Sequence, residues 1–432
     1  MKKPTLVFIL VCLVAMAVLG FVFIRNLIDF PVYYAAGRSL LSGRTDLYAP
    51  DFALGRVMDY RYPPFFLVAL TPCWLLPYST AAYFWYLISA GEIAVSIFIV
   101  ARLCPALNES KKMWLLVALA TGLYFVMALH YGNAHVLTTF LLFASFYCFI
   151  QRRDIGAALL IALTISIKLT PILCLPYFAL KRRWKLLTAA CVFLIAINLT
   201  PAVYFGFKEN GQLLETWFRH VVVNQQFHED NGPINLSLKG QLRRSLSTID
   251  YSQRVDGDVK YPAVNVATIS QGQLDTAWAI LSAVLLVGAL SLIARTTRYR
   301  KLVIESKDLI GGSAIELSVL LCLMLLIGPL TSKIYFIALL WPASCLASVA
   351  VERGDRVGRF ALYALCAVAL INVVLPLLPG RSLQRLLLVV GVDFYLNCLL
   401  MAALVYLLVV QRVPGERSGA PQMQVQSETR MP

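Results

Sequence analysis

The chain has 432 residues, of which 59% are hydrophobic and 14% charged, and its formal net charge is +15. That balance excludes a soluble globular protein and a disordered one, and apolar runs of helix-spanning length imply an all-α integral membrane domain. The positive charge does not mark a nucleic-acid binder: the Lys and Arg residues form short clusters between apolar runs, with no continuous stripe.

The start, "MKKPTLVFILVCLVAMAVLGFVFI", has a basic signal-like beginning, but the apolar run is too long for a signal core and no A-x-A site follows. It reads as an uncleaved first span. Basic clusters at Lys2/Lys3, Lys111/Lys112, Arg152/Arg153, Lys181–Lys185, Arg295–Lys301, Glu352–Arg359 and Arg412 mark the inner side. Threading spans between them gives roughly twelve crossings with both termini cytoplasmic, as in a multi-pass protein of the cell membrane. The spans fall near 4–24, 81–101, 113–129, 134–150, 155–167, 170–180, 186–205, 275–294, 310–328, 334–350, 360–378 and 386–410. Two of them, 155–167 and 170–180, are too short to cross unless the chain is bent around Lys168. "PPFFLVALTPCWLLP" (63–77) is short and proline-rich, and a crossing there would invert the later basic clusters, so it reads as re-entrant or interfacial. Residues 1–412 thus make one membrane domain, with a first external loop at 25–80 and a large one at 206–274, and 413–432 reads as a disordered cytoplasmic tail. The ten cysteines lie in or beside apolar stretches and none falls in the large loop, so no disulfide framework is implied.

This topology gathers the unusual polar residues on the outer face: Asp29, the turn "HYGNAH" (130–135), the break at Lys168, the large loop and the link "PLTSK" (329–333). Asp29 ends the first span and precedes a short helix running to about Leu41, with Pro31 in its first turn. Val32, Ala36 and Leu40 share one face, suited to the membrane interface; Tyr34 and Arg38 share another. Asp29 is either the N-cap of that helix or a partly desolvated general base set against nearby arginines. Lys168 is a snorkelling lysine or a cation at the tip of a broken helix, suited to a phosphate or carboxylate. His130, Asn133 and His135 are turn residues or the lining of a polar cavity, and two histidines five apart make no metal pair on one helix face. The large loop mixes amphipathic segments with Arg219, Lys239, Arg243 and Arg244, and reads as a solvated cap or a substrate-positioning flap. Asn235 opens an N-x-Ser sequon. No Walker loop, Rossmann glycine pattern or nucleophile elbow occurs, so an enzyme here needs a donor already in the membrane.

"IDFPVYYAAGRSLLSGRTDLY", "YRYPPFFLVALTPCWLLP" and "ALTISIKLTPILCLPYFALKRRW" together resemble the pattern of glycosyltransferase family 87, over residues 1 to about 350 and most strongly in the first loop and at Lys168. The chain departs from it at "YGNAHVL" and at "IGPLTSKIYFIALLWP", where many members carry a histidine-bearing cluster. The resemblance implies a GT-C-type polytopic bundle with external juxtamembrane helices and an active site at the extracytoplasmic surface. It implies a polyprenyl-phosphate sugar as donor and a lipid or glycan acceptor. By matching position it makes Asp29 the base of an inverting hexosyl, mannosyl by family type, transfer. Lys168, Arg38, Arg61, Arg243 and Arg244 are the candidates for the donor phosphate, and Tyr33, Tyr34, Tyr62, His130, Asn133 and His135 for the substrate pocket. No cofactor or metal is implied; the partners are the lipid-linked sugar, its acceptor and membrane lipids. The rival reading is a transporter or lipid-carrier flippase, which a break around Lys168 would also suit.

Overall fold

The computed structural model describes residues 18, 20–44, 46–48, 60–228, 234–248, 262–303, 309–354, 356–374, 377 and 380–410. Most of the expected first span and the expected tail therefore lie outside the described residues. Within them the chain is helical, with seven helices long and apolar enough to cross a membrane and four shorter apolar ones. Apolar side chains point outward as well as inward: Val192, Val284 and Leu370 are each more than 60% exposed. Such a surface is stable only against lipid, so the molecule is an all-α polytopic membrane protein.

The helices that build the site come early in the chain. Helix α1 spans Phe30–Leu41, followed by two short helices, α2 (Pro64–Ala69) and α3 (Thr71–Leu75). The proline-rich segment therefore does not cross; its prolines start each short helix and stop it lengthening. Three long elements follow: α4 (Tyr78–Leu103), α5 (Lys111–Tyr131) and α6 (His135–Ile150). Helix α7 (Asp154–Ile167) rises to Lys168, a turn of 3-10 helix (Thr170–Leu173) bends the chain, and α8 (Cys174–Leu180) returns it. The expected break at Lys168 is thus a bend between two apolar helices. After α9 (Trp184–Leu199) come the amphipathic α10 (Phe207–Trp217), a π-helical continuation (Phe218–His228) and α11 (Leu238–Leu246).

The remaining elements are α12 (Gln271–Val303), α13 (Leu309–Ile327), a 3-10 turn (Lys333–Leu339) leading into α14 (Leu340–Glu352), and α15 (Arg356–Val374). The span expected at 386–410 is two helices, α16 (Arg381–Val390) and α17 (Val392–Val410), divided at Gly391, whose φ of 79° a side chain would strain. Helix α16 is strongly amphipathic, and its charge and glutamine pattern disqualify it from the apolar run that follows.

One expectation about α1 is corrected. Ala36 and Leu40, expected on a membrane-facing side, are buried within the protein, because α2 and α3 fold back over that face. The approach is close: the Trp74 ring lies against Gly37 and leaves no room for a Cβ there. At the opposite end of the bundle, Lys181 pairs with the buried Glu316 at 2.5 Å, Tyr177 donates to the same carboxylate at 3.0 Å, and Arg183 pairs with Asp154. Buried charges within an apolar bundle persist only when paired in this way.

Candidate active site

Asp29 stands at the N-cap of α1, but its side chain makes no capping hydrogen bond. The backbone does the capping: the Asp29 carbonyl accepts from Val32 N at 3.0 Å. The carboxylate instead receives the side-chain amide of Asn133, while Ile28 N and Asp29 N both donate to the Tyr131 carbonyl, at 3.2 and 2.9 Å. Two rival readings of this residue thus separate. Position makes it a cap, and the side chain is free for other work.

Asn133 is placed there by the end of α5. Gly132 terminates that helix in the left-handed conformation, φ 62°, and its carbonyl accepts the Trp85 indole N–H at 2.9 Å. The next side chain is thereby turned toward Asp29, and its other amide atom caps α6 by accepting from His135 N at 2.7 Å. Burial raises the Asp29 pKa, opposed by the hydrogen bond from Asn133 and by the charges of Arg61 and Lys168.

Beyond Asn133 the site continues through His135. Lys168 Nζ lies 3.2 Å from His135 Nδ1 and 3.1 Å above the centre of the Tyr335 ring, and the His135 and Tyr335 rings stack at 3.9 Å. A lysine donating to Nδ1 leaves the histidine proton on Nε2. Among the described residues no carboxylate lies within ion-pair distance of Lys168. Burial holds its ammonium well below the usual range, and the charge of Asp29 pulls the other way. A buried cation whose local partners are a ring face and an imidazole calls for an anion. Next to it opens a cleft of about 460 Å³, lined by His135, Thr138, Lys168, Met324, Thr331 and Tyr335 among others. Its polar groups gather near Lys168, and leucine, methionine and alanine side chains form the rest.

The other expected site residues divide. Tyr33 and Tyr62 join the Asp29 cluster, with their hydroxyls 3.1 Å apart. Arg61 is close enough to act on Asp29, and its carbonyl accepts from Trp217 at 3.2 Å. Arg38 is exposed and reaches the Trp74 carbonyl at 3.4 Å, on the side of α1 away from Asp29. Tyr34 turns the same way and donates to Leu76 O at 2.7 Å. His130 packs against Phe23 and Tyr131. Arg243 and Arg244 are not among the residues lining the cleft. Arg244 is buried on α11, donating to Asn235 O at 2.5 Å and to Gln241 Oε1 at 2.7 Å; Arg243 donates to Gln271.

Asn235 is likewise built into the structure. Its side chain donates to Pro329 O at 2.9 Å and accepts from Ser237 N and Thr331 N, both at 3.1 Å. Buried and fully engaged, the sequon asparagine ties the large loop to the link that carries Leu330 and Thr331 into the cleft. Tyr335 is the one prominent site group that sequence reasoning did not single out; its only signal is its place two residues beyond the polar link "PLTSK".

Bundle and site define a polytopic membrane protein with a desolvated carboxylate and a buried lysine at one end of its helices. A family model described as glycosyltransferase family 87 matches residues 60–329, and the chain belongs to that family. The match begins at residue 60, so Asp29 and residues 25–59 of the first loop lie outside it, whereas "YRYPPFFLVALTPCWLLP" and the rest of that loop lie inside. The chain is also similar to the polyprenol-phosphate-mannose-dependent alpha-(1-2)-phosphatidylinositol pentamannoside mannosyltransferase of Mycolicibacterium smegmatis. The two are 28% identical over 237 residues, 52% of this chain and 53% of that protein. The chain thus spans about half the length of the curated relative it matches. No solved structure matches it.

Proposed function

We propose that the protein is an inverting glycosyltransferase that moves a hexose, mannose by analogy with the relative, from a polyprenyl-phosphate donor to a hydroxyl of a lipid or glycan acceptor. The observation that carries this is the pairing of Asp29, a carboxylate released from its capping role, with the anion-seeking Lys168 across Asn133 and His135. Asp29 takes the proton of the acceptor hydroxyl as that oxygen attacks the anomeric carbon; the bond to phosphate breaks and the phosphate leaves with the electron pair. A departing phosphate needs charge stabilisation more than a proton, and Lys168, with Arg61 behind it, supplies that. The apolar part of the cleft suits the first isoprene units of the donor.

The extracytoplasmic placement of this chemistry rests on charge. Lys111/Lys112, Arg152/Arg153 and Lys181–Lys185 sit at the helix ends opposite Gly132 and Lys168, as the positive-inside rule requires of a site on the outer side. Transport finds less support, since family membership favours transfer and the cleft lies at one end of the helices.

The test is incubation of the purified full-length protein with a panel of polyprenyl-phosphate sugars and candidate acceptors, followed by product analysis. Transfer from one donor, reduced about 100- to 10,000-fold in Asp29→Asn, is the expected result. A variant that keeps near-wild-type transfer would remove Asp29 from the role of base.

A further inference from the structure

Tyr62 precedes α2 and is held on every side. Its ring stacks on Phe66 with centroids 4.7 Å apart and meets Tyr33 edge-on at 5.1 Å, and its backbone carbonyl accepts the Tyr48 hydroxyl at 2.7 Å. The Tyr62 hydroxyl oxygen is a shared acceptor. Tyr33 donates to it at 3.1 Å, and the side-chain amide of Asn133, the group that also holds Asp29, is a second donor.

Counting hydrogens makes the point. Tyr33 and Tyr62 have two hydroxyl hydrogens between them, and the Tyr33 oxygen is already occupied by the N–H of Ala134 at 3.4 Å. One hydrogen closes the Tyr33–Tyr62 bond. The other has no acceptor among the described residues. Tyr33 is buried and is the donor in that bond, whereas Tyr62 is partly exposed, so the spare hydrogen lies on Tyr62. A hydroxyl with both lone pairs engaged is oriented by them, and its O–H then points where neither donor lies. The groups that act on Tyr62 across space are Tyr335, which covers Lys168, and Asp29.

We propose that Tyr62 donates a hydrogen bond to a phosphate oxygen of the lipid-linked sugar beside the Asp29 cluster. The assignment rests on the function proposed above. The attacking hydroxyl is the poorer recipient, because a donor on it would draw off the lone pair that must form the new bond. The phosphate oxygens gain charge as the bond to the anomeric carbon breaks, so a donor aimed at them tightens in the transition state. Tyr62 keeps its proton throughout: the acceptor's proton goes to Asp29 and the electron pair of the broken bond to the phosphate.

The experiment compares wild type with Tyr62→Phe, as full-length protein in detergent, using polyprenyl-phosphate mannose and the acceptor that supports transfer. The expected result is a kcat lower by about 10- to 100-fold with KM changed much less. The substrate-free melting temperature should fall, because Tyr33 and Asn133 lose the oxygen that accepts from them. Tyr33→Phe, which loses the same Tyr33–Tyr62 bond but keeps the Tyr62 hydroxyl, is the stability control and should lower kcat much less, and the acid limb of the pH profile should stay in place. A wild-type rate in Tyr62→Phe overturns the assignment alone. A kcat loss in Tyr33→Phe as large as that in Tyr62→Phe also overturns it, since the hydroxyl pair would then serve packing. A wild type that neither binds nor turns over any polyprenyl-phosphate sugar overturns the function and this assignment with it.

Discussion

Asp29 carries an electrostatic signature that can be measured twice. Its pKa is raised by burial, so as a base it becomes competent only above the ordinary carboxylate range. Transfer should therefore rise with pH along an acid limb displaced upward from that range. Asn133→Leu removes a hydrogen bond that favours the ionised form, and its kcat/KM profile should show the limb at still higher pH. The second measurement is stability. A raised folded pKa means that the fold favours the protonated form; that contribution is complete below the unfolded pKa and is lost as pH rises through the folded one. Asp29→Asn, neutral at every pH, should thus be more stable than wild type at neutral pH, by about 0.5–2 kcal/mol. The gap should close in melts at pH values below the usual carboxylate range, and a variant less stable than wild type at neutral pH contradicts the reading. Lys168→Met should weaken donor binding about 10- to 100-fold, seen as a higher KM in titrations of the lipid-linked sugar. Lys168→Arg should restore little of it, since a guanidinium is larger than the ammonium it replaces against Tyr335 and His135 Nδ1.

At the scale of elements, the end of α5 determines whether Asn133 meets Asp29. A Cβ on Gly132 would have to tolerate φ 62° and would come within 3.0 Å of Leu27 and 3.2 Å of Phe30. Gly132→Ala should cost about 1–2 kcal/mol from the left-handed backbone and lower kcat further through the displaced amide, as melting and steady-state rates on the same preparation would show. The polar turn "HYGNAH" was legible in the sequence, as were the non-crossing proline segment and the bend at Lys168, because glycine, proline and a lone cation interrupt apolar runs visibly. Direction was not legible. Periodicity ranks faces within a helix but does not say what folds back over them: the Ala36/Leu40 face of α1 reads as membrane-facing, yet both residues are buried in the cluster that α2 and α3 complete. For the same reason Arg38 and Tyr34, one helical turn apart, were enlisted in a site they point away from. Tyr335 was passed over because one more aromatic in an apolar stretch carries no signal until its ring is found against Lys168.

Across the whole molecule, the site depends on a long-range clasp. Asn235 joins the large loop to the 329–331 link through two side-chain hydrogen bonds, a third holds Ser237 N within the loop, and Arg244 fastens it from α11. Asn235→Ala leaves Thr331 N and other buried groups without partners, which should cost roughly 2–3 kcal/mol in thermal melts. The wall of the cleft carried by Leu330 and Thr331 should loosen, giving a higher KM for the donor with little change in the pH profile. An arginine pair in an external loop reads from sequence as anion-binding, because charge is visible there and partners are not. In the folded chain Arg244 is consumed by a carbonyl and an amide, and Arg243 by Gln271.

The stacked triad of His135, Lys168 and Tyr335 also says something about biosynthesis. Asp29 emerges with the first helices, but Tyr335 and the 329–331 link come only after α13, near the three-quarter point of the chain. Chains are made and inserted from the N-terminus onward, so for most of synthesis Asp29 is present while Tyr335 and the link are not. Under the proposed function, the nascent protein should stay inert toward lipid-linked sugars until the 329–331 link meets Asn235 and Tyr335 reaches Lys168.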